Sequence, residues 1–278
     1  MPQTVLSRSE QKLLSALRQE RRVNLSRSRD RELLLSITAD PATLIKRMVA
    51  KGWLHALGGG QFVRAESGEE AAEQSAPVQL LLHARMQSIA PYFITYFSGL
   101  VEYGLTDHDN PSLFVAVLGR HVRSRSLTVA DRPVVMARIT SERKWFGFTR
   151  ERVQGKGFYF VAEPARVLLD CLDRPDLAGT AQIVVRAWAR YLNQQNSSPA
   201  KIVEYAPRLG RATVRRAGYL LDLLGHEDAA NELRSHRGTG GTAPVLFGGD
   251  QRHGHSRRWG LDLDVPEAAL SGWASYEK

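Results

Sequence analysis

The chain is poor in cysteine. Among its 278 residues there is one, Cys171. A single thiol excludes a disulfide framework and any cysteine-rich zinc site, and the expected compartment is a reducing cytoplasm. Long apolar runs are missing too. The most apolar stretch, Ile89–Leu105, contains Glu102 and several small or polar residues, so it reads as a buried helix and not as a membrane span. The opening residues MPQTVLSRSEQKLL lack the basic-then-apolar layout of a secretion signal. Neither GxGxxG nor GxxxxGK[ST] occurs, nor does a GxSxG elbow. Nucleotide-cradling loops and the serine-hydrolase turn are therefore not expected, and no cofactor or metal is called for.

Positive charge is what the chain has, and it is unevenly placed. The formal net charge is +9. Residues 1–65 hold twelve Lys/Arg against five Asp/Glu, a net of +7. Residues 66–77, ESGEEAAEQSAP, hold four Glu and no cation, and their composition is that of a linker. Residues 78–278 carry a net of +6 spread over a much longer chain. A cationic excess concentrated in the first quarter attracts a polyanion, and in a cytoplasm that is most often nucleic acid. The length suits two domains, and 43% hydrophobic residues supply ordinary cores. The reading is a 1–65 domain, an acidic linker over 66–77, and a larger 78–278 domain.

The segment Asp40–Arg64 gives the first domain its character. Asp40 suits a helix N-cap and Pro41 the first helical position. Leu44, Ile45, Met48 and Val49 recur at helical spacing, with Thr43, Lys46, Arg47 and Ala50 on the opposite face. Gly52 ends the helix. Two short alternating runs follow, Trp53–Ala56 and Gln61–Arg64, joined at Gly58-Gly59-Gly60. Upstream, residues 7–20 form a helix capped by Ser7 or Ser9, and residues 29–36 form a second with Leu33, Leu34 and Leu35 inward. Three short helices and a glycine-tipped hairpin outline a winged helix-turn-helix, which sets its third helix in the DNA major groove. Thr43, Lys46 and Arg47 are the residues expected to meet base edges. Arg27, Arg29 and Lys51 are expected to contact phosphates. The tip at Gly59, flanked by Gln61 and Arg64, is expected to approach the backbone closely.

The larger domain reads as mixed. Helical spacing covers Gln79–Ser88 and Tyr92–Tyr103. Strand-like runs follow at Leu113–Leu118, Val134–Ile139, Lys144–Phe148 and Gly157–Val161. Helices are expected at Pro164–Leu172, Ala181–Leu192, Ser198–Ala206 and Thr213–Leu224. Residues 234–258, rich in Gly, His and Arg, read as a mobile or extended loop, and Trp259–Val265 as a last strand. The whole is an α/β (α+β) protein with a small sheet and a helical half. No constellation speaks for catalysis. Asp131, Glu142 and Lys144 loosely match a metal-nuclease pattern, but a solvated turn is the simpler reading. His236, His253 and His255 lack acidic or cysteine partners in register. Asp170 and Asp173 flank Cys171 with no general base evident.

Four segments in order resemble the AbiEi-like antitoxins of type IV (AbiE-type) toxin–antitoxin systems. They are Lys51-Gly52-Trp53-Leu54 through Gly58–Phe62; Tyr96-Phe97-Ser98-Gly99-Leu100-Val101-Glu102-Tyr103-Gly104-Leu105-Thr106; the run Val161–Pro175 with its Glu163-Pro164-Ala165-Arg166 core; and Arg215-Arg216-Ala217-Gly218-Tyr219-Leu220-Leu221. The resemblance spans about residues 10–225. Ala165 and Val167 depart from the family's usual acidic residue and Thr, and residues 234–258 have no counterpart. The resemblance implies a winged helix that binds inverted repeats and represses its own operon. It also implies a larger domain that counteracts a nucleotidyltransferase toxin, in the family's manner without a tight complex. Inverted repeats call for two copies of the protein. Two other readings stand beside it. One is a regulator whose large domain senses a ligand, and the other is a metal-dependent nuclease using Asp131, Glu142 and Lys144.

Overall fold

The computed structural model describes residues 6–20, 22, 24–58, 60–64, 77–87, 89–119, 127–153 and 157–277. The chain is a mixed α/β protein and divides into two compact units. The first takes residues 1–91, 126–132 and 150–160; the second takes 92–125, 133–149 and 161–278. Among the described residues no helix is long and apolar enough to cross a membrane.

The first unit begins with α1 (Arg8–Gln19), β1 (Asn24–Ser26), α2 (Arg31–Ile37), α3 (Pro41–Ala50), β2 (Leu54–Gly58) and β3 (Gln61–Arg64). The strands form an antiparallel sheet of order β1-β3-β2, with Leu25 opposite Phe62 and Ala56 opposite Phe62 on the other side. Three helices, a short strand between the first two and a terminal hairpin make the winged-helix topology. Its core is Leu13, Leu14, Leu17, Leu25, Leu34, Leu44, Ile45, Met48, Leu54 and Phe62. Ser7 and Glu10 close a capping box on α1, the Ser7 N–H donating to Glu10 Oε2 at 2.6 Å. In α2 the inward set differs from the expectation. Leu34 is buried and Leu33 half-buried, but Leu35 is 49% exposed, because three successive helical positions span too wide an arc to share one face. β1 was not expected, as three residues carry too little periodicity to register.

The next helix, α4 (Val78–Met86), packs on β2 and β3 and clusters with this first unit. The predicted long helix over Ile89–Leu105 is instead two elements, β4 (Tyr92–Ile94) and α5 (Tyr96–Glu102). Tyr-Phe-Ile is a run suited to a buried strand, and Tyr96 turns the chain at φ 54°. Then come β5 (Leu113–Leu118), β6 (Thr128–Val129), β7 (Arg132–Ile139), β8 (Phe148–Val153) and β9 (Gly157–Ala162). The expected strand over Lys144–Phe148 is a 3₁₀ turn at Glu142–Lys144, and the strand starts only at Phe148. In the second unit β5 runs antiparallel to β4 and parallel to β7, and β4 runs parallel to β9 through Ile94 and Val161. Within that unit the order is β7-β5-β4, with Val161 of β9 beside Ile94.

The helical half follows: α6 (Pro164–Asp173), α7 (Ala181–Leu192), α8 (Pro199–Leu209), α9 (Arg211–Leu223) and α10 (Glu227–Arg234). α6 is its axis, touching α5, α7, α8 and α9. Gly99 permits α5 to close on α6, since a Cβ there would lie 2.6 Å from Val167 Cγ2. The chain ends in the hairpin β10 (Gly254–Ser256) and β11 (Leu261–Leu263), then α11 (Glu267–Ser275). Neither α10, which ends where the stretch read as loop begins, nor α11, which follows the expected last strand, was foreseen, and β10 falls inside the loop stretch. The rest of that loop is irregular but anchored. Arg215 donates to the carbonyls of Arg237, Gly260 and Gly240, and Arg216 to that of Val245. The Trp259 ring packs against α9 at Gly218, where a Cβ would fall 2.1 Å from it.

Candidate nucleic-acid interface

α3 is built to hold one face inward and offer the other. The Asp40 carboxylate caps it, accepting from the Thr43 N–H at 3.1 Å, and Pro41 sits in the first turn. Hydrogen bonding to Thr43 holds Asp40 below its ordinary pKa. At the far end Gly52 takes φ 72°, where a side chain would be strained. Leu44, Ile45 and Met48 are buried, while Ala42, Thr43, Lys46, Arg47 and Ala50 are exposed. Thr43, Lys46, Arg47 and Ala50 are spaced to form one continuous strip of helix surface.

A buried carboxylate organises the cations beside that strip. Glu10 is fully buried, and Lys51 Nζ lies 2.8 Å from its Oε2. Arg47 Nε approaches the other oxygen at 3.9 Å while half of its side chain stays in solvent. Burial alone would raise the Glu10 pKa. The Lys51 hydrogen bond and the Ser7 N–H outweigh it, and the carboxyl is held below its ordinary value. Glu10 thus ties the start of α1 to the end of α3. Lys51, expected at a phosphate, has its ammonium on Glu10. Arg47 keeps an outward guanidinium with a tether behind it, and Lys46 stands in solvent.

The wing is fastened to the loop before α2. The Arg27 N–H donates to the Gly60 carbonyl at 2.8 Å. Gly60 has φ 75°, and a Cβ on it would sit 3.4 Å from Arg27 Cβ. Ser26 Oγ accepts from Gln61 Nε2 at 3.1 Å and from the Arg29 N–H at 3.3 Å. The loop itself is braced by Asp30, whose carboxylate takes the Ser26 N–H at 2.6 Å and Arg22 Nη2 at 2.6 Å. Arg27 and Arg29 are exposed, and Arg29 Nη1 reaches Gln87 Oε1 at 3.2 Å. Gln61 is thus occupied within the wing, and Arg64 pairs in register with Leu54 at the strand base. Gly59 lies outside the described residues, as do 66–76 of the acidic linker.

Glu10, Asp30 and Gln87 escaped sequence reading as parts of this interface. The Ser7-x-x-Glu10 spacing does mark a capping box. Nothing local marks the pairing of Glu10 with a lysine from the end of another helix.

The residues weighed for catalysis have separate surroundings or structural partners. Glu142 is exposed in its turn. Asp131 sits exposed in a tight turn at φ 59° in the first unit. Lys144 Nζ pairs with Asp173 at 3.1 Å, and Thr213 Oγ1 donates to the same carboxylate. Asp170 joins a separate buried cluster. It takes Arg166 Nε at 2.7 Å and Thr95 Oγ1 at 2.6 Å, and Arg166 also donates to the carbonyls of Lys144 and Phe146. Burial raises the Asp170 pKa, Arg166 opposing it. His255 Nδ1 is 2.7 Å from Asp262 Oδ1, and His253 meets Gln251. Among the described residues no group of three His, Cys, Asp or Glu could hold a metal ion. An open cleft of about 240 Å³ lies at the ends of α7, α9 and α11, lined by Leu192, Asn193, Leu224, His226, Ser271 and Ser275. It is smaller than the ~300–1,000 Å³ of ordinary small-molecule sites.

No family model matches the chain, and no curated protein does. Among solved structures, the crystal structure of the RV2827C protein from Mycobacterium tuberculosis is similar at a TM-score of 0.68 and 15% identity, covering 96% of both chains. The likeness is one of fold.

Proposed function

We propose that this chain is a DNA-binding antitoxin of the AbiE type, which represses its own operon through the winged helix and counteracts a nucleotidyltransferase toxin. One observation carries the DNA half. A winged-helix topology leaves Thr43, Lys46 and Arg47 exposed together on α3, with Arg27 and Arg29 exposed in the loop that fastens the wing. Lys and Arg read guanine edges, and Thr meets a base or a phosphate. The antitoxin half is supported by the four ordered segments of the sequence. Their tertiary roles differ: Tyr96–Thr106 spans α5, Val161–Pro175 spans α6, and Arg215–Leu221 lies in α9.

The test is binding of the full chain to its own upstream duplex and to a scrambled one at several salt concentrations. Specific repression predicts a preference of about 1,000-fold or more at near-physiological salt. Lys46→Ala with Arg47→Ala should remove most of that preference. Equal, steeply salt-dependent binding to both duplexes would reduce the reading to phosphate attraction. The antitoxin half predicts a nucleotidyltransferase gene beside this one, and co-expression of the chain with that toxin should restore growth. Failure to do so would leave a repressor only.

A further inference from the structure

Residues 150–160 belong to the first unit although they lie far along the chain from the winged helix. A ladder of contacts joins them to the loop that holds Arg27 and Arg29. Arg29 Nη1 donates to Gln87 Oε1 at 3.2 Å. Gln87 Nε2 meets His83 Nε2 at 2.7 Å. The His83 ring packs on Phe158 and Phe160 with centroids 4.7 and 5.7 Å away. The Arg150 guanidinium lies over Phe158, 5.0 Å from its centroid. Burial brings the His83 pKa from 6.5 down to about 4, so the middle of the ladder is neutral and its two ends are cationic.

The far end of this ladder faces solvent. Arg150 and Arg152 are both exposed. Strand alternation puts them on one side of β8, with Glu151 on the other. The Phe158 ring beneath Arg150 orients the planar guanidinium, which lowers the entropy lost when it meets an anion. The support is firm as well, since His83 belongs to α4 and α4 packs on wing strands β2 and β3.

We infer that strand β8 carries a second phosphate-binding element of the same interface, with Arg150 and Arg152 on the backbone of duplex DNA beside the wing. The inference rests on the DNA-binding reading of α3. It extends the footprint on the wing side, because Arg29 stands in the loop whose Arg27 N–H holds Gly60. Phosphate contacts add affinity without sequence information.

Arg150→Ala with Arg152→Ala in the full chain should therefore weaken upstream and scrambled duplexes alike, by about tenfold. The slope of log K against log salt should shrink by about two, near 0.9 per phosphate lost. The ratio between the duplexes should hold, whereas Lys46→Ala with Arg47→Ala should collapse it. Hydroxyl-radical protection should shorten on one flank only. Should the double variant melt early, Arg152→Ala alone serves, with a slope change of about one. Unchanged affinity and slope in a folded variant would overturn the inference and leave the reading of α3 standing. A wild-type chain that binds neither duplex would overturn both.

Discussion

In the first unit Arg27, Arg29, Lys46 and Arg47 stand exposed around α3 and the wing, whereas in the second Arg166 and Arg215 are turned inward. Arg166 is 1% exposed and serves Asp170 and two carbonyls, with its guanidinium 4.4 Å from the Phe146 centroid. Arg215 holds three carbonyls of the C-terminal segment. Half-buried Arg216 holds two more, those of Val245 and Leu172. The residue types match and the duties do not. The four named cations of the first unit face solvent, whereas Arg166, Arg215 and Arg216 take the place of secondary structure in satisfying backbone oxygens. Net charge per segment therefore overstates what the larger domain can offer a polyanion.

The comparison predicts very different costs for removing a cation. The largest belongs to Arg166→Leu, which leaves a buried Asp170 without its counter-charge. Urea unfolding should show a loss of about 3–5 kcal/mol, and Asp170→Leu added to it should restore a good part. A loss under ~1 kcal/mol would mean that Arg166 is no structural cation.

Next comes acid. The unfolded chain binds a proton on His83 as pH falls through 6.5, while the folded chain resists until about 4. Protons therefore favour the unfolded state in that window. The contribution of His83 is whole above pH 7 and shrinks as pH drops, by up to about 3 kcal/mol. Urea midpoints at pH 7.5 and 4.5 measure it, and His83→Leu should narrow the gap between them.

Lys51→Ala tests the boundary case. It strips the buried Glu10 of its hydrogen-bonded ammonium, at a cost of about 1.5–3 kcal/mol. Lys46→Ala with Arg47→Ala, on the same helix, should stay within about 0.5 kcal/mol, as exposed substitutions do. If the two costs came out equal, Lys51 would belong with the ligand-facing cations after all.

Much of α3 was legible. Asp40 and Pro41 announce its start, Gly52 its stop, and the Leu44-Ile45-Met48 spacing its inward face, and each of these acts within one turn. Ile89–Leu105 was misread for an equally local cause. Apolar content cannot tell a buried strand from a buried helix, and the break at Tyr96 is a backbone conformation that no residue type there announces. Among the candidate residues, Thr43, Lys46, Arg47, Arg27 and Arg29 stand at the surface as read. Lys51 differs because its partner, Glu10, stands on another helix, 41 residues earlier in the chain.

By itself, then, the sequence determined the three helices of the first 65 residues, the strands of the wing and the side of α3 that faces the core. Caps, glycine turns and apolar spacing are interactions between near neighbours in the chain. Only the tertiary structure decided which cations remain for a ligand. It set Lys51 on Glu10, turned Arg166 to Asp170, and brought Arg150 to the unit that holds the wing. Ion pairs and ring contacts work over a few ångströms, and which distant residues come that close is settled by packing.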